Sequence, residues 1–366
     1  MPSVIKPKFS KRLIKKLFSE PELAVEKINL VYTTERQLSI ERIKIRKSFQ
    51  YKLKDNIIDE PEQIERFNSL VIPPAWEKVK ISHLENGHLQ ATGRDEKQRK
   101  QYRYHPIWNK IRNQTKFYRM SEFGLILPAL REAVERDLRQ KNWGREKVLA
   151  LVVKLLEETH IRIGNQQYAK RNKTYGLSTL RKKHVNLNGT KIRFEFVGKK
   201  GKEHKITLRN KKLVRLINKS QEIPGWELFK YYDEEGERRS VDSSMINAYI
   251  QQLAGASFTA KDFRTWAATI IFFETLMEMG PSEDESVSKK NVLSAYDVAA
   301  KSLGNTRNVT RNYYVHPAVV SSYYNGRMFK VFSRVEKDEK ELPNFSLSEQ
   351  AVLKIIKDFD PFQFEG

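Results

Sequence analysis

Hydrophobic and polar residues alternate along the first third of the chain, which is the spacing of β-strands exposed on one face. The clearest run is SIERIKIRKSFQYKL at residues 39–53. Shorter runs at Ile28–Tyr32 and Lys78–Ser82 also predict strands. Between them, the Asp-Glu-Pro sequence at residues 59–61 is typical of a helix start, and we expect that helix to extend through Phe67.

Beyond about residue 114 the pattern changes to the period of amphipathic helices. One helix, ending near Thr159, has its apolar stripe at Val148, Leu151, Val152, Leu155 and Leu156. Three antiparallel strands follow, with a hairpin signal at Asn188-Gly189, over Val185–Leu187, Lys191–Val197 and His204–Leu208. Further helices are predicted over Leu213–Ile217, Ser243–Leu253, Phe258–Met279, Val287–Leu303, a segment including Tyr313–Tyr323, and Ser346–Phe359.

This change of pattern predicts an α+β protein with two main domains. A helix from Pro106 towards Asn113 ends the strand-rich region, and we place the domain boundary there. The predicted organisation is a basic N-terminal extension at 1–25, a β-rich domain at 26–114, a mainly α domain at 115–330 and a C-terminal helical tail at 331–366.

The charge of the chain indicates a polyanionic partner. The 366 residues include 68 Lys and Arg against 45 Asp and Glu, a formal net charge of +23 that is spread along the chain. A surplus of this size favours nucleic acid as the partner. There are no cysteines, which excludes disulfides, thiolate zinc sites and cysteine nucleophiles. No apolar run approaches the ~20 residues of a membrane span, and we expect a cytoplasmic protein.

The stretch LGNTRNVTRNYYVHP at residues 303–317 contains the candidate nucleophile. It has adjacent tyrosines, Tyr313 and Tyr314, with Asn305 and two arginines before them. A tyrosine surrounded by cations can attack a phosphodiester and keep the bond energy in a phosphotyrosyl ester. Upstream, Arg162 and Arg264 have the fork geometry that suits phosphate oxygens.

Two further stretches offer cations or hydrogen-bonding groups. The Gly-Lys-Lys-Gly-Lys turn at residues 198–202 presents Lys199, which suits a proton donor, and it is too short to be a nucleoside-triphosphate loop. The stretch QATGRDEKQRKQYRY at residues 90–104 interleaves amides and phenols with cations, as in contacts to phosphates and bases, or forms a solvated loop leading into a helix. No carboxylate or histidine cluster has metal-ligand spacing, so we expect no metal cofactor.

Several motifs together resemble those of the type IB DNA topoisomerases, specifically the poxvirus-like and bacterial branch. The resemblance covers about residues 28–325. Its motifs, in chain order, are VIPPAW at 71–76, GRDEKQRKQYRYH at 93–105, RIGNQQYAKRNKTYGLSTL at 162–180, FVGKKGKEH at 196–204, KDFRTW at 261–266 and LGNTRNVTRNYYVHP at 303–317.

The resemblance implies a role for each candidate residue. By the position of the Gly-x-Thr turn, Tyr314 and not Tyr313 corresponds to the nucleophile that forms a 3′-phosphotyrosyl link. Arg162 and Arg264 then stabilise the transition state, and Lys199 is the general acid. Asn305 occupies the place of a histidine in poxvirus and eukaryotic members, and it can donate a hydrogen bond but carries no charge. The residues that match DNA contacts are Lys261, Gln101, Tyr102 and Tyr104.

The resemblance also implies a fold and an activity. The fold is a small β-rich domain and a larger, mainly α catalytic domain that close as a clamp around duplex DNA. The activity is relaxation of supercoils through single-strand cleavage, strand rotation and religation, without metal or nucleotide. We expect a bacterial, cytoplasmic and nucleoid-associated monomer.

Two alternatives stay open at this point. A tyrosine recombinase shares the Arg–Lys–Arg–Tyr set, but recombinases usually have histidine where this chain has Lys261. A catalytically inactive duplex-binding relative would have no need for Arg162, Lys199, Arg264 and Tyr314 together. A topoisomerase is the reading that the motifs favour.

Overall fold

The computed structural model divides the chain into two compact units, and the division falls between Phe117 and Tyr118. The structure describes residues 25–26, 28–46, 48–338, 342–357 and 359, and of residues 113–115 it describes the backbone alone. The predicted N-terminal extension therefore lies outside the described residues, apart from Val25.

The first unit is built on a six-stranded antiparallel sheet with spatial order β3-β2-β1-β4-β5-β6. Its strands are β1 Ile40–Ile45, β2 Ser48–Leu53, β3 Asn56–Ile58, β4 Glu77–Ile81, β5 Leu89–Arg94 and β6 Lys100–Tyr104. Helix α1, Pro61–Ser69, has Pro61 in its first turn and packs Phe67 against Tyr51 of the sheet. The alternating run at residues 39–53 is thus confirmed as two paired strands.

One sequence prediction in this unit is wrong, and one alternative that the sequence left open is excluded. Residues 28–32 form no strand but make a single bridge, Val31 to Gly87, while Ile28 packs with Trp108 in a small separate core. The charged stretch at residues 90–104 is not a loop leading into a helix, because β5 and β6 pair across it. Strand pairing satisfies the backbone there whatever the side chains are, so composition alone was misleading.

The second unit is mainly helical. Its helices are the end of α2 (Pro106–Leu138), α3 Arg145–Thr159, α4 Gln166–Asn172, α5 Lys211–Glu222, α6 Ser243–Ala254, α7 Ala260–Met279, α8 Glu285–Leu303, α9 Arg307–Tyr313, α10 Pro317–Tyr324, α11 Arg327–Asp338 and α12 Leu347–Ile356. Two small antiparallel sheets complete it, one of β7 Val185–Asn188, β8 Lys191–Val197 and β9 Glu203–Arg209, the other of β10 Lys230–Tyr232 and β11 Arg238–Ser240.

Helix α3 is the centre of this unit. The predicted stripe is buried, and so are Leu149, Ala150 and Val153 on its other faces, because α6 and α7 contact it from different sides. A helix that is apolar all round is a core helix. Helix α12 packs on α7, where buried Glu349 accepts hydrogen bonds from Arg131 and Trp266.

One predicted helix is divided in two. Instead of a continuous helix over Tyr313–Tyr323, α9 ends at Tyr313 and α10 begins at Pro317. Proline disfavours the helical conformation in the residue before it, and His316 accordingly has an extended backbone as the cap of α10. Tyr314 lies in the resulting break.

Candidate active site

A close crossing of two chain segments holds Arg162 in place. Helix α3 ends at His160 with a left-handed backbone (φ 53°), and the chain then turns towards residues 176–178. The amides of Leu177 and Ser178 donate to the carbonyls of Arg162 and Ile163, at 2.9 and 2.7 Å. A Cβ added at Gly176 would lie 2.3 Å from the Arg162 carbonyl oxygen, so only glycine allows this approach.

The C-terminal end of α8 anchors both arginine side chains. Arg264, in the second turn of α7 and 4% exposed, donates from Nη2 to the Leu303 carbonyl at 2.8 Å. Arg162 donates from Nη2 to the Asn305 side-chain oxygen at 2.5 Å. Carbonyls at a helix end carry partial negative charge, which favours cations at this position.

No carboxylate neutralises these two cations within the described part of the chain. Burial and the charge of Arg162 lower the pKa of Arg264 to about 10, although the neighbouring Tyr314 opposes part of this decrease. Burial also lowers the pKa of Arg162. Both guanidinium groups still carry charge at neutral pH. A buried charge without a counter-ion is costly, so the arrangement fits an anion that binds from outside.

Unused hydrogen-bond donors support this interpretation. The buried Nε and Nη1 of Arg264 and the buried Nδ2 of Asn305 have no hydrogen-bond partner among the residues that the structure describes. Asn305 has its orientation fixed by Arg162, which bonds its oxygen and leaves its NH₂ group facing away. These three donors belong to side chains that meet at the end of α8, and the non-bridging oxygens of a phosphate could accept hydrogen bonds from them.

Tyr314 lies beside this group of donors. Its ring centre is 5.8 Å from the Cζ of Arg264, and the residue is half-buried, whereas Tyr313 is 45% exposed. Thr269 of α7 holds the backbone around it, because its hydroxyl donates to the Tyr314 carbonyl and accepts from the His316 amide, both at 3.1 Å. The fold therefore orients one of the two adjacent tyrosines towards the arginines.

Lys199 reaches the same place from the hairpin between β8 and β9. It lines a small open cavity together with His160, Arg162, Tyr175, His204 and Arg264. The hairpin turn is tight, with Gly198 donating to the Lys202 carbonyl at 2.7 Å. The five residues predicted for chemistry are thus brought to one site, where Lys199 lines the same cavity as both arginines.

Lys261 lies one turn before Arg264 on α7 and is exposed, so its ammonium group is accessible to a ligand that binds over the site. Gln101, Tyr102 and Tyr104 lie on β6 of the first unit. The two tyrosines are stacked on one face with ring centres 6.0 Å apart. Gln101 lies on the other face and donates to Asp95 at 3.0 Å. Strand alternation accounts for this difference.

Three residues at the site were not predicted from the sequence, namely Thr269, His160 and His204. Burial, followed by nearby positive charges, lowers the pKa of each histidine to about 4, so both rings are neutral at physiological pH. His204 could have been found from the sequence, because the predicted strands place it opposite Phe196 across the hairpin. Nothing in the sequence distinguishes Thr269 from other threonines.

The described residues include no group of three or more His, Cys, Asp or Glu side chains arranged to hold a metal ion. In the same part of the chain, no helix has the length and apolar composition needed to cross a membrane.

Comparison with known proteins identifies related sequences. Residues 99–342 match the sequence model of the family "Eukaryotic DNA topoisomerase I, catalytic core", and residues 48–95 match "Bacterial DNA topoisomerase IB, N-terminal domain". DNA topoisomerase 1B of Acanthamoeba polyphaga mimivirus is 35% identical over 276 residues, covering 73% of this chain and 82% of the viral protein. DNA topoisomerase 1B of vaccinia virus (strain Western Reserve) is 22% identical over 249 residues, covering 68% and 76%. DNA topoisomerase 1 of rabbit fibroma virus is 25% identical over 236 residues, covering 62% and 70%.

Proposed function

The chain belongs to the type IB DNA topoisomerases, and we propose that it relaxes supercoils of either sign by cutting one strand through Tyr314. The observation that carries this proposal is the pair of arginines at the site, Arg264 buried and Arg162 half-buried, which have no carboxylate partner among the described residues, with Arg264 lying beside Tyr314. In this mechanism neither a nucleotide nor a metal takes part.

The proposed reaction is a reversible transesterification. Tyr314 gives up its phenolic proton to water, its Oη forms a bond to phosphorus, and the bond from phosphorus to the 5′ oxygen breaks. Lys199 donates a proton to that leaving oxygen. The cut strand then rotates about the intact one. Religation reverses the step, as the 5′ hydroxyl returns its proton to Lys199 and attacks the phosphotyrosine, so the bond energy is kept throughout.

The negative charge that develops on the phosphate explains the roles proposed for the remaining residues of the site. The attacked phosphate gains negative charge on its non-bridging oxygens, and fixed donors stabilise that charge more than they stabilise the substrate. Arg162, Arg264 and Asn305 supply such donors, and hydrogen bonds to α8 and its following turn hold them in place before DNA arrives. Asn305 contributes through hydrogen bonding alone.

Other exposed residues are proposed to bind the duplex. Lys261 would contact a phosphate next to the one that is cut, and Gln101, Tyr102 and Tyr104 would contact DNA from the first unit. All five residues proposed for the reaction come from a single chain, which supports action as a monomer. The match of residues 48–95 to a bacterial domain supports a bacterial, nucleoid-associated enzyme, whereas the named relatives are viral.

A plasmid relaxation assay tests this proposal. Negatively and positively supercoiled plasmids are incubated in EDTA without ATP with the wild type, Tyr314→Phe and, as the matched control, Tyr313→Phe. We expect the wild type and Tyr313→Phe to relax both plasmids. Tyr314→Phe should bind duplex with unchanged affinity and relax neither, because it lacks the attacking oxygen.

Two results would contradict the proposal. A covalent protein–DNA adduct trapped on Tyr314→Phe would remove Tyr314 as the nucleophile. A folded, DNA-binding wild type that relaxes neither plasmid would favour a recombinase that needs a specific DNA site.

A further inference from the structure

The ring of His204 lies between two glycine turns, and each of these turns precedes a residue of the active site. A Cβ added at Gly198 would lie 2.6 Å from both Cδ2 and Nε2 of His204. A Cβ added at Gly304 would lie 2.7 Å from Cε1 of the same ring. The ring therefore touches the backbone of both turns, at distances that leave no room for a methyl group.

These two turns carry different parts of the reaction. Gly198 is followed by Lys199, the proposed acid, and Gly304 is followed by Asn305, which bonds Arg162. The tip of the hairpin presents Lys199, which is exposed. A rigid body between the turns would set how far the ammonium group of Lys199 lies from the phosphate.

The ring is itself held in place. It stacks on Phe196, its cross-strand partner, with ring centres 5.0 Å apart and planes inclined by 11°. It also lines the cavity between Lys199 and the arginines. Phe196 is 7% exposed, so the stack rests on the core of the unit and does not move with solvent-exposed side chains.

We propose that His204 is a positioning residue whose ring acts as a spacer between the Lys199 turn and the Asn305 turn, and so places the acid at the leaving oxygen. This inference rests on the proposed function. The spacer works by its shape, because burial and the charges of Arg162, Lys202 and Arg264 lower the pKa of His204 to about 4. The size of the ring, and not its charge, should therefore determine where Lys199 lies.

The test compares two DNA substrates under single-turnover conditions. One has the normal 5′ oxygen at the cleavage site, and the other has sulfur in its place. A thiol has a pKa of about 8.5, so a thiolate leaves without a proton and the acid becomes unnecessary. Cleavage is measured for the wild type, Lys199→Ala, Arg264→Ala, His204→Ala and His204→Phe.

We expect His204→Ala to cleave the oxygen substrate about 100-fold more slowly than the wild type, the cost of misplacing a catalytic group by about 1 Å. On the sulfur substrate it should recover together with Lys199→Ala, to within about fivefold of the wild type. Arg264→Ala should not recover, because charge on the non-bridging oxygens develops with either leaving group. His204→Phe should also slow the oxygen substrate and recover on the sulfur substrate, because its larger ring would push the two turns apart.

A second perturbation tests the spacer without removing it. Gly198 has an ordinary backbone conformation (φ −99°), so alanine there is opposed only by the His204 ring. Gly198→Ala should slow cleavage of the oxygen substrate when it is made in the wild type, but it should have little further effect when it is made in His204→Ala. The two changes should be non-additive in this way because the two residues are in contact. Thr207→Ala, an exposed uncharged site on the same strand, is the matched control and should cleave like the wild type.

The inference is overturned if His204→Ala cleaves the oxygen substrate at the wild-type rate, or if its defect persists on the sulfur substrate while Lys199→Ala recovers. Full additivity of Gly198→Ala and His204→Ala would also overturn it. Cleavage by the wild type and its absence in Tyr314→Phe, measured in the same reactions, report on the proposed function separately from these ratios.

Discussion

Two arginines of the second unit, the half-buried Arg131 and the buried Arg264, have opposite environments. Arg131 donates to Glu157 and Glu349 at 2.5 to 2.8 Å. Burial opposes its charge, but these two carboxylates outweigh burial and raise its pKa. Arg264 has no carboxylate partner among the residues that the structure describes, and its pKa is lowered to about 10. The first arginine is satisfied within the protein and holds α12, whereas the second retains unused donors for a ligand.

Asn305 offers the sharpest prediction at the scale of one residue. Asn305→Asp keeps the shape of the side chain but replaces the unpartnered NH₂ group by an anionic oxygen. The new carboxylate would pair with Arg162 and repel the phosphate. We expect the single-turnover cleavage rate to fall by about 10²–10³-fold, as for loss of one oxyanion donor.

The matched control is Asn308→Asp, an exposed position nearby on α9, which should cleave within about threefold of the wild type because surface changes away from the site have small effects. Equal rates for Asn305→Asp and the control would show that the Asn305 NH₂ group does not contact the phosphate.

At the scale of elements, the break between α9 and α10 decides where the tyrosine hydroxyl points. In a continuous helix, the direction of the Tyr314 side chain would follow from helical periodicity alone. Instead its backbone leaves the helical region (φ −131°, ψ −38°), and one hydroxyl of α7 holds the segment from both sides. Tyr314, the proposed nucleophile, is therefore coupled to the helix that carries Arg264, five positions before Thr269.

Thr269→Val tests this coupling, since it removes the hydroxyl and keeps the volume. The Tyr314 carbonyl and the His316 amide would lose this partner in a fully buried position. We expect a loss of about 1–3 kcal/mol in the free energy of unfolding and a slower cleavage step. Denaturant unfolding and single-turnover cleavage measure the two effects.

Thr275→Val on the same helix is the comparison, because within the described part of the chain the Thr275 hydroxyl bonds only to the Ile271 carbonyl of its own helix. It should leave the cleavage rate unchanged. A Thr269→Val protein that cleaves as fast as Thr275→Val would show that the break holds Tyr314 without help from α7.

At the scale of the whole molecule, positive charge and buried neutral histidines shape stability. The net charge of +23 suits DNA but favours neutral histidines inside the protein. Burial, with nearby cations second, lowers the pKa of His160, His184 and His204 to about 4. Each of these rings, of which His184 is buried and His160 and His204 are half-buried, would have to acquire a proton close to other cations if the pH fell.

These pKa values predict the direction in which stability changes with pH. Unfolding returns the three histidines to a pKa near 6.5, so between pH 6.5 and 4 the unfolded chain binds more protons than the folded one. The histidine contribution to stability is therefore complete above pH 6.5 and is lost as the pH falls towards 4. Thermal unfolding across this range should show a falling Tm.

His160→Asn is the informative variant, since asparagine tolerates the left-handed backbone of that position and does not titrate. Its Tm should fall less between pH 6.5 and 4 than that of the wild type. An identical pH profile for both proteins would mean that His160 is protonated in the folded state.

The sequence by itself determined which segments are helices or strands and which types of side chain are present at the site. Helix α3, the hairpin around Lys199 and the end of α8 at Gly304 were predicted close to their observed positions, because periodicity and turn residues act locally. The type IB motifs identified the family. The catalytic roles of Arg162, Lys199, Arg264, Asn305 and Tyr314 stay predictions, although these residues do meet at one site.

Tertiary structure alone decided which side chains are buried, which have partners and how they are oriented. Arg131 and Arg264 look alike in the sequence, and only packing shows that one meets carboxylates and the other meets carbonyls. The contact of His204 with two glycine turns joins segments about a hundred positions apart. Such contacts depend on how separate elements pack, and local sequence patterns carry no information about that packing.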